Sequence, residues 1–413
     1  MRKITVAAAV FLITISCSNK EANQVDTKIL RIENGLVEMT SPAEMFQRHN
    51  AQPENLTTLT ERLEHLKVPG VSIAVINDDH VEWAKAYGIM DVNTGAPVTT
   101  ETIFEAASTS KLVTSVIALH YVQTGVIQLD PNVNDYLTSW QVPENEFTTD
   151  EKVTLRRILT HQSGCPITNF GYDEKVGIPT LIDVLSGTPP AENKPAIPEL
   201  VPGSQWQYSN VAYDIIQLLL EDLTGKPFQE IAEEVIFDPL GMNSTTFVYP
   251  LDTEKSKREA MPHDAEGISR HPAMHESAFA HGNLTTTPSD LAVFTLEIIK
   301  AYQGKSDRVL SQDMARQLLS KQCDIDQDAI PLPFYEGLGV FLMGEGMDLV
   351  LTHPGENYPG FISWLVGWPE RGTGAVIMTN GAQGFLLSME IVSAIDREYN
   401  DTARQSKEKA ELS

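Results

Sequence analysis

The sequence predicts an α/β (α+β) fold, in which an antiparallel sheet built from N- and C-terminal segments is flanked by helices, with a helical region inserted between them. Two strand-like segments lie near the N-terminal end, helical patterns dominate from Ser108 to about Pro250, and strand-like alternation returns from about Tyr335. Strands at both ends with helices between them imply a shared sheet. A functional site is expected in the groove between the sheet and the helical region.

The individual elements follow from local patterns. The stretch "GVSIAVINDDHVEWAKAYG" predicts two strands joined by a turn at Asn77–Asp79. The stretch "VAYDIIQLLLEDLTG" predicts a helix that ends at a glycine suited to a C-cap. Four short strands are then predicted in "GLGVFLMG", "DLVLTH", "FISWLVGW" and "GAVIMTN", and a last helix in "FLLSMEIVSAIDREY".

Composition bounds the class of protein. The chain has 413 residues, of which 42% are hydrophobic, so it can bury a sizeable core. Its formal net charge of −26 comes from acidic residues scattered along the sequence, and it has no block of Lys and Arg that would follow a phosphate backbone. Nucleic acid is therefore excluded as the expected partner.

The N-terminus has the layout of an export signal. Arg2 and Lys3 precede an apolar run, Ile4–Ile15, that is too short to span a bilayer, and Cys17 follows it. This arrangement resembles bacterial lipoproteins, which implies lipidation of Cys17 and a periplasmic or outer-membrane-anchored protein. The alternative is cleavage by a signal peptidase and a soluble periplasmic protein. We therefore expect a signal at 1–17, a linker at 18–44, one domain at 45–400 and a charged tail at 401–413.

Cysteine and histidine spacing does not indicate a metal site. No CxxC or HExxH motif occurs, and His271 and His275 flank Pro272 in a segment that is not predicted to be helical. Cys165 and Cys323 either pair in an oxidising compartment or remain as two free thiols. No metal or organic cofactor is expected.

The strongest chemical pattern is S-x-x-K at Ser108 and Lys111. On a helix this spacing places the hydroxyl and the amine on one face, and a helix N-terminus favours an oxyanion beside the serine. A desolvated lysine has a lowered pKa and can take the serine proton. The pattern alone is weak, since Ser406 and Lys409 in the tail match it too.

Two further stretches strengthen the hypothesis. "VPGSQWQYSN" places Tyr208 and Asn210 just before an amphipathic helix, and "LTHPGENYPGF" places His353 and Gly355 at the end of a predicted strand. A glycine at that position lets a substrate approach the backbone closely.

With these motifs the chain resembles the β-lactamase-related serine hydrolases that have a tyrosine in the second motif, namely class C β-lactamases, related esterases and D-amino-acid peptidases. The resemblance spans about residues 60 to 400 and includes, in family order, "VPGVSIAVI", "GVIQLDPNVNDYL", "ILTHQSG", "PLGMNSTTF", "GNLTTTPSDLAVF", "YEGLGV" and "HPGENYPGF". It implies a β-lactamase/transpeptidase-like fold.

The resemblance also implies roles for the motif residues. Ser108 would be the acylated nucleophile, Lys111 its proton partner, and Tyr208 the general base or the group that shares the proton with Lys111. The substrate-binding set would comprise Asn210, His353, Gly355 and Glu356, with the N–H groups of Ser108 and Glu356 forming the oxyanion hole.

Other conspicuous residues are expected to be structural. Asn210 is also suited to cap the helix that follows it, and Tyr208 could be a core tyrosine. His161 in "THQSG" is not expected to be a base for Ser163, because no G-x-S-x-G elbow surrounds that serine. Trp206 and Tyr358 are expected to line or cap the groove rather than to act chemically.

The third motif departs from that of β-lactamases and penicillin-binding proteins, where lysine and threonine hold the carboxylate of the ligand. Here Pro354 offers neither a hydroxyl nor an N–H, His353 is largely neutral near pH 7, and Glu356 adds negative charge. A neutral or cationic small-molecule ester, amide or peptide is therefore the expected substrate. The alternatives are a β-lactamase or D,D-carboxypeptidase, and a sensor or binding lipoprotein that forms an adduct without turnover.

Overall fold

The computed structural model describes residues 22–41, 44, 56–168, 177–271, 277–326, 328, 330 and 332–411, with side chains up to residue 399. The chain divides into two compact units, the first made of Met1–His65 and Met389–Ser413 and the second of Leu66–Ser388. The predicted signal and Cys17 lie outside the described residues. The single domain expected over 45–400 stays a prediction.

The strands form one large sheet and two small ones. The large sheet has nine strands in the order β5-β4-β3-β13-β12-β11-β10-β9-β8, and every neighbouring pair is antiparallel. The strands are β1 (Leu36–Val37), β2 (Leu56–Thr57), β3 (Gly70–Asn77), β4 (His80–Asp91), β5 (Ala96–Pro97), β6 (Phe104–Glu105), β7 (Thr285–Thr286), β8 (Cys323–Asp324), β9 (Tyr335–Glu336), β10 (Phe341–Met343), β11 (Val350–Asn357), β12 (Phe361–Trp368) and β13 (Thr373–Thr379).

Most of the helices lie in the sequence between the N-terminal strands, which end at β6, and the C-terminal strands, which begin at β8. Pairs β1-β2 and β6-β7 form the small sheets. The helices are α1 (22–33), α2 (Leu59–His65), α3 (Ser110–Gln123), α4 (Leu155–Leu159), α5 (Leu181–Ser186), α6 (Asn210–Thr224), α7 (Phe228–Ala232), α8 (Asp238–Leu240), α9 (Pro288–Gln303), α10 (Gln312–Leu318) and α11 (Gly384–Glu411).

The predicted sheet is confirmed. N-terminal β3 pairs with C-terminal β13, so the two ends of the domain share one sheet and the helices from Ser110 onward form the insertion. The predicted hairpin is present as β3-β4, and Asp78 and Asp79 adopt positive φ angles of 48° and 62° in its turn. Aspartate tolerates this conformation, which suits the two-residue turn of a twisted hairpin. Strands β12 and β13 are buried along their whole length, as their continuous apolar runs require.

The first unit differs from the linker expected at 18–44. Residues 22–33 are helical, Leu36–Val37 form a strand, and Ile32, Leu36 and Met39 are buried. These apolar residues give the segment a core that its mixed composition does not reveal. Within the same unit the buried Arg62 forms an ion pair with Glu390 at 2.7 Å.

Two further findings concern the whole described chain. None of the helices within the described residues combines the length and apolarity needed to cross a membrane. Cys165 and Cys323 are free thiols rather than a disulfide. Burial raises the pKa of both thiols to about 12, so neither is a reactive thiolate near neutral pH.

Candidate active site

Ser108 lies in a tight turn that leads into α3. The 3-10 turn Ala107–Thr109 directly precedes the first residue of the helix, Ser110, so Ser108 sits at the helix entrance rather than within it. Ala107 has a φ of +48°, a left-handed conformation that costs an alanine about 1–3 kcal/mol. The hydroxyl of Ser110 donates to the carbonyl of Ala107 at 2.6 Å and holds this conformation. The strained turn presents the Ser108 hydroxyl to the cleft.

Lys111 is buried with its amine against Ser108. Its Nζ donates to Ser108 Oγ at 3.2 Å and to the carbonyl of His281 at 2.7 Å, and its side chain is fully inaccessible to solvent. Burial lowers the pKa of Lys111 to about 7, against an opposing effect from the negative charge of Asp214. A large fraction of Lys111 is therefore neutral at pH 7 and able to accept a proton.

Asp214 and His281 form a buried pair behind Lys111. His281 Nδ1 lies 2.9 Å from Asp214 Oδ1, and the backbone carbonyl of the same histidine receives the Lys111 amine. Gln217, one turn further along α6, accepts the N–H of Phe279 at 2.8 Å and so fixes the loop that carries His281. These contacts set the position and the charge environment of the lysine.

Asp214→Asn is expected to move the acid limb of the activity profile to lower pH. The carboxylate raises the pKa of Lys111, so its removal lowers that pKa and leaves the amine neutral under more acidic conditions. The amide keeps an acceptor for His281. The check is kcat/KM for a neutral ester as a function of pH, and a limb that stays in place or moves to higher pH contradicts this role.

Tyr208 completes the group around the serine hydroxyl. Its phenol lies near enough to the Ser108 hydroxyl to interact with it, and the Lys111 amine lies 4.8 Å from the centre of its ring. Burial is the main cause that raises the pKa of Tyr208, with a smaller effect from the charge of Glu336, and the interaction with Ser108 opposes both. The phenol therefore keeps its proton near neutral pH, so Lys111 is the better proton acceptor of the two.

The expected N-cap role of Asn210 is wrong, because Ser209 caps α6. Ser209 has extended backbone angles and its Oγ accepts the N–H of Ala212 at 3.3 Å, while Asn210 is already the first helical residue. The Asn210 amide donates to the carbonyl of Thr168 at 3.4 Å, and its buried Oδ1 has no hydrogen-bond partner in the part of the chain that the structure describes. Its predicted contact with the substrate stays a prediction.

His353 and His161 are both buried near Lys111, in different roles. The His353 ring stacks on Phe341 at 5.0 Å, and burial, with the nearby Lys111 charge, lowers its pKa to about 3, so it is neutral at pH 7. The Nδ1 atom of His161 accepts the N–H of Ser209 at 3.2 Å, and its ring lies 4.2 Å from that of Tyr208. His161 thus supports the loop that carries Tyr208.

Gly355 brings strand β11 against the nucleophile's turn. A Cβ atom at this position would lie 2.9 Å from the backbone N of Ser108 and 2.3 Å from the carbonyl O of Ala106. Only glycine allows this approach. Glu356 follows it along the strand with an exposed side chain. The backbone N–H groups of Ser108 and Glu356 are the predicted donors of an oxyanion site.

Ser108, Tyr208, Gly355 and Glu356 line a cleft of about 550 Å³, whereas Lys111, Asn210 and His353 are not among its described lining residues. Among the described residues its lining is largely apolar and aromatic, with Asp326 and Glu356 as the carboxylates and with no arginine or lysine. The described lining residues are Ser108, Ile167, Gln205, Trp206, Gln207, Tyr208, Asp326, Ile330, Phe341, Pro354, Gly355, Glu356 and Phe385. Trp206 lines the cleft as expected, whereas Tyr358 is 81% exposed and is not among the lining residues.

Sequence reasoning missed several residues around the site. Asp214 is a charged residue in the middle of the apolar run "VAYDIIQLLL". Such a residue indicates that its side chain has a buried partner. Glu336 is buried and accepts the Trp206 indole N–H at 3.0 Å, but "YEGLGV" offers no pattern that indicates this contact. Within the described residues no cluster of three His, Cys, Asp or Glu side chains is arranged to hold a metal ion.

Comparison with known proteins identifies the family to which the chain belongs. The profile of the β-lactamase family matches residues 57–390. The chain is 24% identical over 241 residues to protein flp of Staphylococcus aureus (strain MRSA252), covering 58% of this chain and 46% of that protein. It is 28% identical over 239 residues to penicillin-binding protein 4 of Amycolatopsis lactamdurans, covering 56% and 60% respectively.

A solved structure has a similar fold. The β-lactamase/D-alanine carboxypeptidase of Yersinia pestis, in complex with citrate, superposes with a TM-score of 0.65 at 21% identity, covering 80% of this chain and 94% of that one. At this identity the likeness concerns the fold alone. The chain spans about half the length of protein flp. Because the family profile covers most of the sequence, the chain belongs to the β-lactamase family.

Proposed function

We propose that this protein is a serine hydrolase that cleaves ester or amide bonds through an acyl-enzyme on Ser108. The observation that supports the proposal best is the contact of the Ser108 hydroxyl with two groups, the buried Lys111 amine at 3.2 Å and the Tyr208 phenol. A serine with a proton acceptor and facing two backbone N–H donors has the parts that acyl transfer requires.

The reaction proceeds in two halves. In the first, Ser108 Oγ forms a bond to the carbonyl carbon and its proton passes to Lys111 Nζ, while the N–H groups of Ser108 and Glu356 stabilise the oxyanion. The bond to the leaving group then breaks, and the leaving group takes the proton, with Tyr208 relaying it. In the second half, a water molecule loses a proton to the same pair and its oxygen bonds to the acyl carbon. The bond from that carbon to Ser108 Oγ then breaks, the proton returns to Oγ, and the acid leaves.

The lining of the cleft supports a neutral or cationic substrate with an apolar group. Trp206, Phe341 and Phe385 offer apolar contacts, whereas Asp326 and Glu356 repel a carboxylate. His353 is neutral and stacked on Phe341, so it brings no positive charge to the third motif. An esterase or a peptidase for small amides fits this lining better than a β-lactamase or a D,D-carboxypeptidase.

A comparison of substrates tests this preference. We expect kcat/KM for p-nitrophenyl butyrate to exceed that for nitrocefin and for a D-Ala-D-Ala peptide by about 10- to 100-fold, because the two anionic substrates lack a cationic partner. Glu356→Gln should narrow the gap by improving nitrocefin turnover, while Glu345→Gln, an exposed glutamate outside the cleft lining, should leave it unchanged. Faster turnover of nitrocefin or the peptide by the wild type would replace the esterase proposal with the corresponding alternative.

The protein's location is a separate proposal. We infer that the chain is exported and anchored through a lipid on Cys17, because the basic Arg2 and Lys3, the short apolar run and the cysteine follow one another in the order of a lipoprotein signal. Mass spectrometry of the protein extracted from membranes tests it. A diacylated Cys17 at the new N-terminus supports the anchor, and an unmodified N-terminus beyond residue 17 contradicts it.

A further inference from the structure

Glu105 is a buried carboxyl group close to the nucleophile, and the proposed reaction gives it no role. It lies on β6, three residues before Ser108, and is 1% exposed. Its Oε2 accepts the Asn357 amide N–H at 2.7 Å, while its buried Oε1 has no hydrogen-bond partner among the described residues. A buried carboxylate with so few partners is costly, so this geometry suits the neutral acid.

The contact with Asn357 belongs to a set of hydrogen bonds that tie the nucleophile's turn to the sheet. Ser363 on β12 donates to the carbonyl of Ala106 at 2.6 Å, and Thr109 donates to the carbonyl of His353 at 3.0 Å. Ala106 and Thr109 lie on either side of Ser108 in the sequence. His353 and Asn357 lie on either side of Gly355–Glu356. These bonds therefore fix the spacing between the two N–H groups of the oxyanion site.

Few charged groups surround Glu105. Glu259 faces it from the segment that bridges to Ile103, and Glu259 Oε1 is likewise buried with no hydrogen-bond partner in the described ranges. The residue opposite Glu105 on β7 is the neutral Thr285, and β11 contributes the neutral Asn357 with the exposed Glu356 beside it. Burial raises the pKa of Glu105 to about 8; the bond from Asn357 opposes this and the charge of Glu259 adds to it.

We propose that Glu105 is a positioning residue whose neutral form holds Asn357, and with it the Glu356 N–H, against the turn of Ser108, and whose ionisation weakens the oxyanion site. A negative charge buried at this point opposes the charge that develops on the substrate oxygen. The inference rests on the proposed acyl transfer. Ionisation of Glu105 lowers the activity at alkaline pH, whereas protonation of Lys111 lowers it at acid pH.

Two substitutions separate position from charge. Glu105→Gln keeps an acceptor for Asn357 and is neutral at every pH, so it should retain kcat at pH 7 within about threefold and lose the alkaline decline. Glu105→Ala removes the partner of Asn357, so kcat should fall about tenfold or more with KM nearly unchanged. Hydrolysis of p-nitrophenyl butyrate is followed from about pH 5 to about pH 10, at the isosbestic wavelength of the nitrophenol and with the spontaneous rate subtracted.

The outcomes distinguish this inference from the proposed function. A wild type that declines at alkaline pH beside a Glu105→Gln variant that does not supports the role of Glu105, even if the alanine variant fails to fold. The same alkaline decline in both proteins, or no decline in the wild type, overturns the role while leaving acyl transfer intact. A wild type with no ester turnover and no labelling of Ser108 by a fluorophosphonate overturns both.

Discussion

Replacing Lys111 by methionine is expected to lower kcat for a neutral ester by about a thousandfold, the scale of losing a general base. The buried amine contacts Ser108 Oγ at 3.2 Å, and its lowered pKa of about 7 makes it the proton acceptor of the site. Methionine has a similar shape and carries no charge, so the fold should be kept and the melting temperature should stay within about 4 °C of the wild type.

The matched control for this change is Lys257→Met. Lys257 is exposed and pairs only at the surface with Glu254, so its loss should change kcat by less than about twofold. Steady-state kinetics of both variants, with thermal unfolding alongside, provide the check. If the Lys111 variant is folded and retains more than about a tenth of the wild-type kcat, another group takes the serine proton and Lys111 is a structural cation.

Gly355→Ala is expected to lower kcat by about a hundredfold or more, because the two oxyanion donors can no longer keep their spacing. The new Cβ would lie 2.3 Å from the Ala106 carbonyl O and 2.9 Å from the Ser108 backbone N, so β11 or the nucleophile's turn must move. Both neighbours are backbone atoms, so the contact is not relieved by rotation of a side chain. A shift of about 1 Å at reacting groups is enough for a loss of this size.

Gly282, which lies with Gly355 in the compact unit Leu66–Ser388, serves as the control for this substitution. Gly282→Ala places a Cβ where no other atom lies within 4 Å, and its φ is outside the left-handed region, so activity should change by less than about threefold. The measurement is kcat and KM for p-nitrophenyl butyrate with circular dichroism of both proteins. Full kcat in a folded Gly355→Ala protein would show that the close approach of β11 to the nucleophile's turn is not needed for activity.

Much of the fold follows from local patterns in the sequence. The run "GVSIAVIN" and the turn at Asp78 and Asp79 predict the β3-β4 hairpin, because period, composition and turn chemistry agree there. The short strand β1 was outside the reach of such patterns. Leu36 and Val37 are two apolar residues in a polar segment, and their burial depends on pairing with Leu56 and Thr57, about twenty residues away.

The candidate site was predictable only where a motif carries its chemistry. Ser108 and Lys111 are recognisable because their spacing brings a hydroxyl and an amine together on one turn. Asp214 and Glu105 are not, since the side chains they contact are distant in sequence: Asp214 contacts His281, and Glu105 contacts Asn357. A buried charge in an apolar run indicates that a partner exists, but tertiary structure decides which residue it is.

The most direct test of acyl transfer on Ser108 is the intact mass of the protein lacking its signal after reaction with a fluorophosphonate. The account predicts one added phosphonyl group on the wild type, mapped to Ser108 by peptide sequencing, and none on Ser108→Ala. An unlabelled wild type, or a Ser108→Ala protein labelled to the same extent, would contradict a nucleophile at this position.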